Sequence, residues 1–556
     1  MIGVLAKKQE TEIVAEFFEL FKTPWEFFDK THDYDVLIVT VNDFSATNAR
    51  LVIYYSSEQN VFDIQARIKT RPLGKNNFLQ VEDGYLPVYG QLSEINGHGQ
   101  PLYQIIDSEA SAGLETKKHD QCIIRIGYDL FQEVAHLLST GQPPKNALIP
   151  ALELHISILR KLILYAGITF VEIPPIPAGY NFIVCLTHDI DFIRIRDHKF
   201  DHTMLGFLYR AVIGSLIDVL KRKRAVTELY QNWKAVFTLP FIYLGLAADY
   251  WFKFDRYMEL ENNVNAKSTF FVIPFKNKAG QKVTGKYAYR RAAKYDVMDI
   301  QDVVKTLINN QFEVGVHGID AWHDTAAACQ ERNRIAAISG KKSVGIRMHW
   351  LCFDKNTFGT LDEAGFTYDS TFGFNDAVGY RAGTSQAFKP IGTKNIFELP
   401  LHIQDTALFN LKHMFLTKTE AWQLCQDLIE KTLVNGGVLT ILWHDRSLSP
   451  ERLYEDFYIK LLSELESKQV WFATANEAIN WFKNRRAAKF DNVKLDGNVI
   501  HIKMLTYNED TLPPMKIRIY HPDIKQKSSS SNQQAVNYID LAWQGKTDFS
   551  VNLVQS

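Results

Sequence analysis

The chain has 556 residues, 46% of them apolar and 13% aromatic, which is enough for two to four domains with substantial hydrophobic cores. The formal net charge is −1, so composition excludes an overall electrostatic attraction to nucleic acid or another polyanion. The five cysteines form no C-x-x-C pair, which argues against a disulfide scaffold and a thiolate zinc site and favours a reducing compartment. They are Cys122, Cys185, Cys329, Cys352 and Cys425.

Residues 1–175 are predicted to form an N-terminal α+β accessory domain. Short apolar runs predict strands at Val36–Val39 and Leu51–Tyr54, and helical periodicity predicts helices at Phe131–Leu138 and Leu152–Tyr165. This part of the chain carries no motif that indicates a chemical function.

The second predicted domain, residues 176–486, follows a proline-rich stretch, Pro174–Pro177, that favours an extended linker. Three apolar runs in this domain are too short for helices, and polar residues follow each of them: Phe182–Leu186, Phe312–Val316 and Val438–Leu442. In a parallel (β/α) barrel the carboxyl ends of the strands form the rim that collects catalytic groups. The pattern therefore predicts an α/β barrel with a site at that rim.

A stretch of helical character, Met204–Phe252, interrupts this alternation and contains the basic run Lys221–Arg224. No segment in it reaches the roughly 18 to 20 uninterrupted apolar residues expected of a membrane span. One interpretation is a helical insert packed on the barrel or over its mouth. The other is a basic amphipathic surface that touches anionic lipid.

The N-terminal segment Met1–Ala6 turns polar at Lys7, which is too short an apolar stretch for a signal peptide. We therefore predict a cytoplasmic protein, with peripheral contact at the inner face of the membrane if the 204–252 segment binds lipid.

Residues 487–556 are predicted to form a small β-rich domain. Val499–Ile502 and Met515–Ile519 alternate with period two, Asp496–Asn498 is a turn signal, and Ser528–Ser531 indicates a loop.

Four side chains at predicted strand ends indicate a metal-dependent hydrolase: Asp189, Asp191, His317 and His444. A divalent ion that activates water needs about three protein ligands and an open position, and aspartate with histidine is a common set. Strand alternation places Asp189 and Asp191 on the same face. An unligated histidine at the rim can protonate a leaving group, although a single strand-end histidine can also be purely structural.

Six motifs, in this order and spacing, resemble the polysaccharide deacetylase (NodB-type) family over about residues 180–480. They are Leu186–Asp191, Ser268–Val272, Glu313–His317, Gly345–Trp350, Glu398–Pro400 and Leu439–His444. The chain is similar to the large bacterial members that carry an extra N-terminal domain. The resemblance implies an irregular (β/α) barrel and removal of N-acetyl or O-acetyl groups from glycans with a divalent metal.

The resemblance also implies individual roles. Asp189 matches the catalytic base, Asp191 and His317 match metal ligands, and His444 matches the catalytic acid. Arg347 stands where the family places the arginine that orients the base, and His349 replaces the usual proline of that motif.

Two further residues are candidates for supporting roles. Arg381 is a rival to Arg347, and Asp405 follows Glu398–Pro400 at a position from which it can hold His444.

The third metal ligand is where the sequence departs from the family. The family places a second histidine four residues after the first, but Ala321 stands there. We favour His323 as the third ligand, with Asp320 as its rival and a site completed by water or His349 as the remaining possibility. The expected ion is Zn²⁺, although a carboxylate in place of histidine would make the site harder.

The expected activity is hydrolysis of the acetyl group of a glycan or a lipid-linked amino sugar, with Trp350 and Trp443 stacking on sugar rings. Two alternatives remain: a glycan-binding protein that has lost catalysis, which Ala321 favours, and an amidohydrolase that acts on a non-sugar cyclic amide.

Overall fold

The computed structural model of the protein describes residues 1–44, 49–82, 84–118, 121–221, 225–283, 285, 287–505, 512–522, 538–543, 545 and 547–553.

The N-terminal region is built on a seven-stranded mixed sheet with strand order β2-β1-β3-β4-β11-β10-β9. Strands β2, β1, β3, β4 and β11 run parallel, and β10 and β9 continue the sheet in antiparallel fashion. The predicted strands and helices are confirmed within one or two residues. The strands are β1 Ile2–Leu5, β2 Trp25–Phe27, β3 Val36–Val39, β4 Leu51–Tyr55, β5 Lys69–Gly74, β6 Asn77–Val81, β7 Gly84–Val88, β8 Leu92–Asn96, β9 Gln100–Gln104, β10 Ser111–Lys118 and β11 Gln121–Ile126. The helices are α1 Thr11–Leu20, α2 Val61–Ala66, α3 Leu130–Ser139 and α4 Ala151–Tyr165.

The middle region contains a nine-stranded sheet in which every pairing is parallel. Its strands are β13 Ile183–Ile190, β14 Thr269–Val272, β15 Glu313–Gly318, β16 Gly345–Met348, β17 Tyr368–Asp369, β18 Phe397–Glu398, β19 Ile403–Gln404, β20 Val438–Leu442 and β21 Trp471–Phe472. The order is β18-β17-β16-β15-β14-β13-β20-β19, with β21 also on β13. Among the described residues the edge strands β18 and β19 do not pair with each other, so the sheet is a curled half-barrel. The predicted parallel α/β architecture is confirmed, but as an open sheet.

Helices cover this sheet, which explains why β13 is buried over all eight of its residues. They are α5 His202–Leu208, α6 Ser215–Leu220, α7 Val226–Tyr243, α8 Phe254–Asn262, α9 Gln301–Asn309, α10 Thr325–Ser339, α11 Thr357–Glu363, α12 Asp405–Phe409, α13 Lys418–Asn435, α14 Glu455–Ser467 and α15 Ala475–Ala487. Local sequence sets their ends. Helix α10, for example, begins at the Asp324 cap, whose carboxylate accepts from the amide of Ala327, and ends at Gly340 with φ 68°.

The predicted helical insert is a pair of helices. The first runs through α5, a π-helical turn at Tyr209–Gly214 and α6, and the second is α7. The stretch His202–Leu220 is long and apolar enough to cross a membrane by length and composition, with a mean hydropathy of 1.5. The stretch contains Arg210 and Asp218, so it is not an uninterrupted apolar run, as the sequence indicated, but its mean hydropathy is still high. Of the basic run, Arg222, Lys223 and Arg224 lie outside the described residues.

The C-terminal strands are β22 Lys489–Asp496, β23 Val499–Leu505, β24 Met515–Tyr520, β25 Tyr538–Trp543 and β26 Asp548–Asn552. Strands β22, β23 and β26 form an antiparallel sheet. Strand β24 lies between β25 and β12, Phe170–Glu172, which precedes the middle region. The predicted loop Ser528–Ser531 lies outside the described residues, and the domain boundaries near 175 and 486 stay predictions.

Candidate metal centre and catalytic groups

The carboxyl ends of five of six consecutive strands in the sheet supply the side chains of the site. Asp189 and Asp191 come from the end of β13, and His317 comes from β15. Arg347 lies on β16 beside His317, as the strand register shows. His444 follows β20 by two residues, and Asp405 follows β19 directly. The sheet order β16-β15-β14-β13-β20-β19 thus brings distant parts of the chain to one rim.

Three side chains in this rim, Asp191, His317 and His349, can hold a metal ion, with potential ligand atoms all within 4.8 Å of one another. Asp191 Oδ1 lies 3.3 Å from His317 Nε2 and 3.0 Å from His349 Nδ1. The two histidine nitrogens are 2.9 Å apart. Asp189 also approaches His317, with 3.9 Å between its Oδ2 and Nε2, as strand alternation predicted for the two aspartates.

The donor chemistry of these three residues fits a divalent cation. His317 Nδ1 lies 3.1 Å from the carbonyl oxygen of Arg347, so this nitrogen carries the proton and Nε2 presents its lone pair to the cluster. Asp191 Oδ1 is buried, and among the described residues it accepts no well-directed hydrogen bond. A cation in this position would satisfy all three atoms, and two imidazoles with one carboxylate are a common zinc set.

Electrostatics keeps two of the three groups, Asp191 and His349, in the forms that bind a metal ion. Burial lowers the pKa of His349 to about 4, so its imidazole is neutral at physiological pH. Burial alone would raise the pKa of Asp191, but the neighbouring imidazoles of His349 and His317 hold it well below its usual range. The site therefore presents the Asp191 carboxylate and the neutral imidazole of His349 beside His317.

The structure corrects the preference for His323 as the third ligand. His323 Nε2 lies 3.1 Å from Asp320 Oδ1, and Asp320 also accepts a hydrogen bond from the amide of Gln281, so the two residues pair with each other outside the cluster. His349 occupies the third position because it follows β16 directly, and β16 pairs with β15 so that Met348 lies beside Gly318, next to His317. The chain then turns at Trp350 and Leu351, whose φ values are 64° and 49°.

Arg347 holds Asp189, as predicted. Its Nη1 donates to Asp189 Oδ1 over 3.2 Å and to Thr187 Oγ1 over 2.6 Å. Its other nitrogens bind the carbonyl oxygen and hydroxyl of Ser370, at 2.9 and 2.8 Å. The guanidinium is fully buried and fixed on three sides, so it can orient the carboxylate rigidly.

Arg381, the rival candidate, does not reach the base in the structure. Its Nη1 donates to the carbonyl oxygen of Gly373 over 3.0 Å, and its guanidinium lies 4.3 Å from the centre of the Phe372 ring. It packs between the N-terminal and middle regions, where Gly141 approaches it closely.

His444 is held by Asp405, as predicted. Its Nδ1 donates to Asp405 Oδ1 over 2.5 Å, and its amide donates to Asp405 Oδ2 over 2.8 Å. The Ser447 hydroxyl donates to the same carboxylate, which fixes it further. Burial would lower the pKa of His444, but the negative charges of Asp405, Asp191 and Asp189 outweigh it and raise the pKa to about 10.

These groups open into a cleft of about 550 Å³. Trp350 lines it and is 43% exposed, so it is available to contact a ligand. Trp443, predicted beside it, is 0% exposed and stacks on Phe457 and Tyr458. The prediction for Trp443 was therefore wrong, because this residue points into the core between the sheet and α14.

Sequence reasoning missed several supporting groups. Thr187 and Ser370 fix Arg347, and Ser447 fixes Asp405. A signal for Thr187 and Ser447 was present, since each lies within three residues of a predicted catalytic side chain. Asp445, directly after His444, was also passed over. It accepts from the amide of Phe192, and burial raises its pKa to about 8.

No family model matches the chain, and no curated protein matches it. Among solved structures, it is similar to a protein from Mycobacterium smegmatis assigned as a polysaccharide deacetylase, at 16% identity over 56% of this chain and 95% of that one, with a TM-score of 0.34. It is similar to Agd3, described as a novel carbohydrate deacetylase, at 8% identity over 99% of this chain and 98% of that one, with a TM-score of 0.35. It is also similar to PuuE allantoinase, at 13% identity over 55% and 92%, with a TM-score of 0.34.

Polysaccharide deacetylases are thus among the structures that this chain resembles, as its motifs indicated. At TM-scores this low the likeness carries no weight for function, which we infer from the geometry of the site alone.

Proposed function

We propose that the protein is a metal-dependent hydrolase that removes an acetyl group from an amino sugar, as part of a glycan or of a lipid-linked sugar. One observation carries the proposal. One cleft contains the three candidate metal ligands Asp191, His317 and His349. It also contains the Asp189 carboxylate, fixed by the buried Arg347, and the His444 imidazole, fixed by the buried Asp405. These are the parts that hydrolysis of an amide or ester requires.

Asp191, His317 and His349 would hold the ion, and the donor set favours Zn²⁺. A divalent ion there would act as a Lewis acid toward the acyl carbonyl and lower the pKa of water.

Asp189 is the proposed general base. Its carboxylate lines the cleft and lies beside the trio, with Oδ2 3.9 Å from His317 Nε2. Its other oxygen is bound by Arg347, so Oδ2 is the atom left to accept a proton from attacking water. Because Arg347 is itself fixed by Thr187 and Ser370, Asp189 cannot rotate away from the reacting atoms.

His444 is the proposed general acid. With Nδ1 donating to Asp405, the second ring nitrogen, Nε2, carries the transferable proton. A pKa near 10 keeps the ring protonated at neutral pH, which suits a group that must protonate a departing amine. Asp405 stabilises this imidazolium and fixes its orientation.

The cleft suits a sugar better than a very small amide. A volume of about 550 Å³ falls within the range of ordinary ligand pockets and leaves room beyond a single ring. Trp350 offers an exposed aromatic face on which a sugar ring can stack. The presence of Ala321 was the feature that favoured a degenerate site. It no longer favours one if His349, which is distant from Ala321 in sequence, is the third ligand.

Acetate release tests the proposal. Purified protein, stripped of metal and reloaded with Zn²⁺, is incubated with N-acetylated and O-acetylated oligosaccharides and, in parallel, with cyclic ureides and imides. We expect zinc-dependent acetate release from an acetylated sugar that Asp189→Asn abolishes. Saccharide binding without acetate release would instead identify a binding protein, and turnover of only the cyclic amides would identify an amidohydrolase.

A further inference from the structure

The insert is a helical hairpin, defined here as residues 202–220 and 226–246, and each of its helices has two apolar faces. The inner faces pack together and against the middle region in a small core of their own. That core contains Ile195, Met204, Phe207, Ala211, Ala235, Leu239, Ile242 and Trp251. On an ordinary surface helix, the face opposite such a core contacts only water and is polar.

The outer face of the first helix is apolar instead. Its large exposed residues recur at steps of three to four, the spacing of one helical face. They are Leu205 at 58% exposed, Tyr209 at 57%, Ile213 at 50%, Leu216 at 41% and Leu220 at 74%. The stretch is as apolar as a membrane-crossing segment, yet only 28% of it is buried in the protein.

The second helix, α7, repeats the pattern. Val226, Tyr230, Trp233, Phe237, Phe241 and Leu244 fall on one face by the same spacing, and each is between 40% and 76% exposed. Single exposed apolar residues are ordinary on protein surfaces, but two aligned stripes with five aromatic residues on two adjacent helices are not.

Charge distinguishes the hairpin from the rest of the molecule. Residues 202–246 contain six basic residues (Arg210, Lys221, Arg222, Lys223, Arg224 and Lys234) and two acidic ones, Asp218 and Glu228, a formal charge of +4 in a chain whose total is −1. Four of the six form the run that joins the two helices. Apolar stripes with Trp, Tyr and Phe beside such a run match the chemistry of an anionic bilayer surface, which offers hydrocarbon below and negative headgroups above.

We propose that the outer face of this hairpin inserts into the surface of an anionic membrane and anchors the protein there. The hairpin lies in the plane of the interface and does not cross the bilayer, since its inner face is committed to the core around Phe207, Leu239 and Trp251. In addition, α7 carries Gln231, Asn232 and Lys234 in its first half, which are costly in hydrocarbon.

The hairpin adjoins the cleft described above. Trp251, in the hairpin core, donates from Nε1 to Glu451 over 3.0 Å, and the guanidinium of Arg446 lies 4.9 Å from its ring. Arg446 itself lines the cleft, two residues after His444. Anchoring through the hairpin would thus hold the cleft close to the membrane surface, where a lipid-linked substrate would be found.

Co-sedimentation with vesicles tests the proposal without any substrate, so its outcome is independent of the proposed hydrolytic function. We expect the protein to pellet with phosphatidylglycerol-containing vesicles at low salt and much less with pure phosphatidylcholine. Tyr230→Glu with Phe237→Glu should weaken binding by at least tenfold. The matched control is Ile64→Glu with Val434→Glu, which replaces residues that are equally exposed, at 67% and 66%, but lie outside the hairpin. This control should bind like the parent.

A second measurement locates the contact. Vesicles with brominated acyl chains quench the fluorescence of tryptophans that enter the hydrocarbon region. Such vesicles should therefore lower the tryptophan fluorescence of the parent protein, and Trp233→Phe should remove much of that quenching. Trp25→Phe, a change in the N-terminal sheet, should leave it intact. Absence of binding by the parent, or binding unaffected by Tyr230→Glu with Phe237→Glu, would overturn the proposal. A stable dimer that these two changes dissociate would also overturn it, by showing that the face binds a second copy.

Discussion

The Nδ1 atom of His349 lies 2.9 Å from the Nε2 atom of His317. His317 uses its other nitrogen to donate to a carbonyl oxygen, so its Nε2 lone pair faces His349 Nδ1 and the Asp191 carboxylate at one buried point. This geometry makes His349, which directly follows the neighbouring strand, the candidate third ligand in a chain that has Ala321 four residues after His317.

The first prediction concerns this third ligand. His349→Ala should weaken Zn²⁺ binding by on the order of 100-fold or more, because ligand loss costs at least as much as loss of an outer hydrogen bond. His323→Ala should leave affinity nearly unchanged, since His323 pairs with Asp320. Isothermal titration of metal-free protein with Zn²⁺ measures both, and equal affinities in the parent and His349→Ala would exclude His349 as a ligand.

The second prediction separates metal binding from proton transfer at Asp189. Asp189→Asn should retain metal but lower kcat by roughly 100-fold to 10,000-fold, the usual contribution of a general base. Arg347→Lys should also lower kcat, because lysine cannot bind Asp189, Thr187 and Ser370 together. Arg381→Lys serves as the control. If it reduced turnover as much as Arg347→Lys, the orienting role would not belong to Arg347.

The third prediction is a change in pH dependence. The Asp405 carboxylate is the largest favourable influence on the raised pKa of His444, about 10 in the parent. Asp405→Asn should therefore lower that pKa and move the alkaline fall of kcat/KM to lower pH. The profile of kcat/KM against pH gives the shift directly, and an unchanged alkaline limb would remove His444 as the proton donor.

The fourth prediction concerns the effect of the His444–Asp405 pair on how the stability of the metal-free protein varies with pH. Since the folded pKa of His444 lies above its ordinary value near 6.5, its stabilising effect is full below about pH 6.5 and is lost as pH rises toward 10. Urea unfolding at pH 6 and pH 10 should show a smaller decline in His444→Ala than in the parent. A decline of equal size in both would contradict the assigned ionisation.

The fifth prediction distinguishes the two tryptophans. Trp443→Ala should destabilise the fold by about 3 to 5 kcal/mol, since a large core side chain is lost. Trp350→Gly should leave stability unchanged or raise it by roughly 1 kcal/mol, because glycine accepts the φ of 64° without steric cost, while KM for a saccharide rises. Urea unfolding and steady-state kinetics separate the two effects.

Much of the site could be predicted from the sequence, because the ends of the strands could be recognised there. Asp189, Asp191, His317 and His444 each follow an apolar run, and parallel strands bring their carboxyl ends to one edge. Asp405 was linked to His444 through its position after Glu398–Pro400, and the structure shows that β19 and β20, which precede the two residues, are neighbours in the sheet.

The positions of the remaining site residues depend on features of the backbone that the periodicity of apolar residues in the sequence does not encode. His349 meets His317 directly after the end of β16, where the chain enters a turn with left-handed φ at Trp350 and Leu351 that an apolar run does not predict. Arg347 and Arg381 were indistinguishable until the sheet register placed Arg347 beside His317. Trp443 directly precedes His444, but its side chain is buried in the core instead of lining the cleft.

The pairing of β12 with β24 joins Phe170 to Tyr520 across the whole middle region. During synthesis β12 leaves the ribosome long before its partner, so its edge must wait unpaired until almost the entire chain has been made. Such a distant closure is slow to form and favours a folding order in which this sheet is completed last. A protein cut short before residue 515 would retain every residue of the metal centre yet expose an open strand edge, and its characteristic failure would be aggregation.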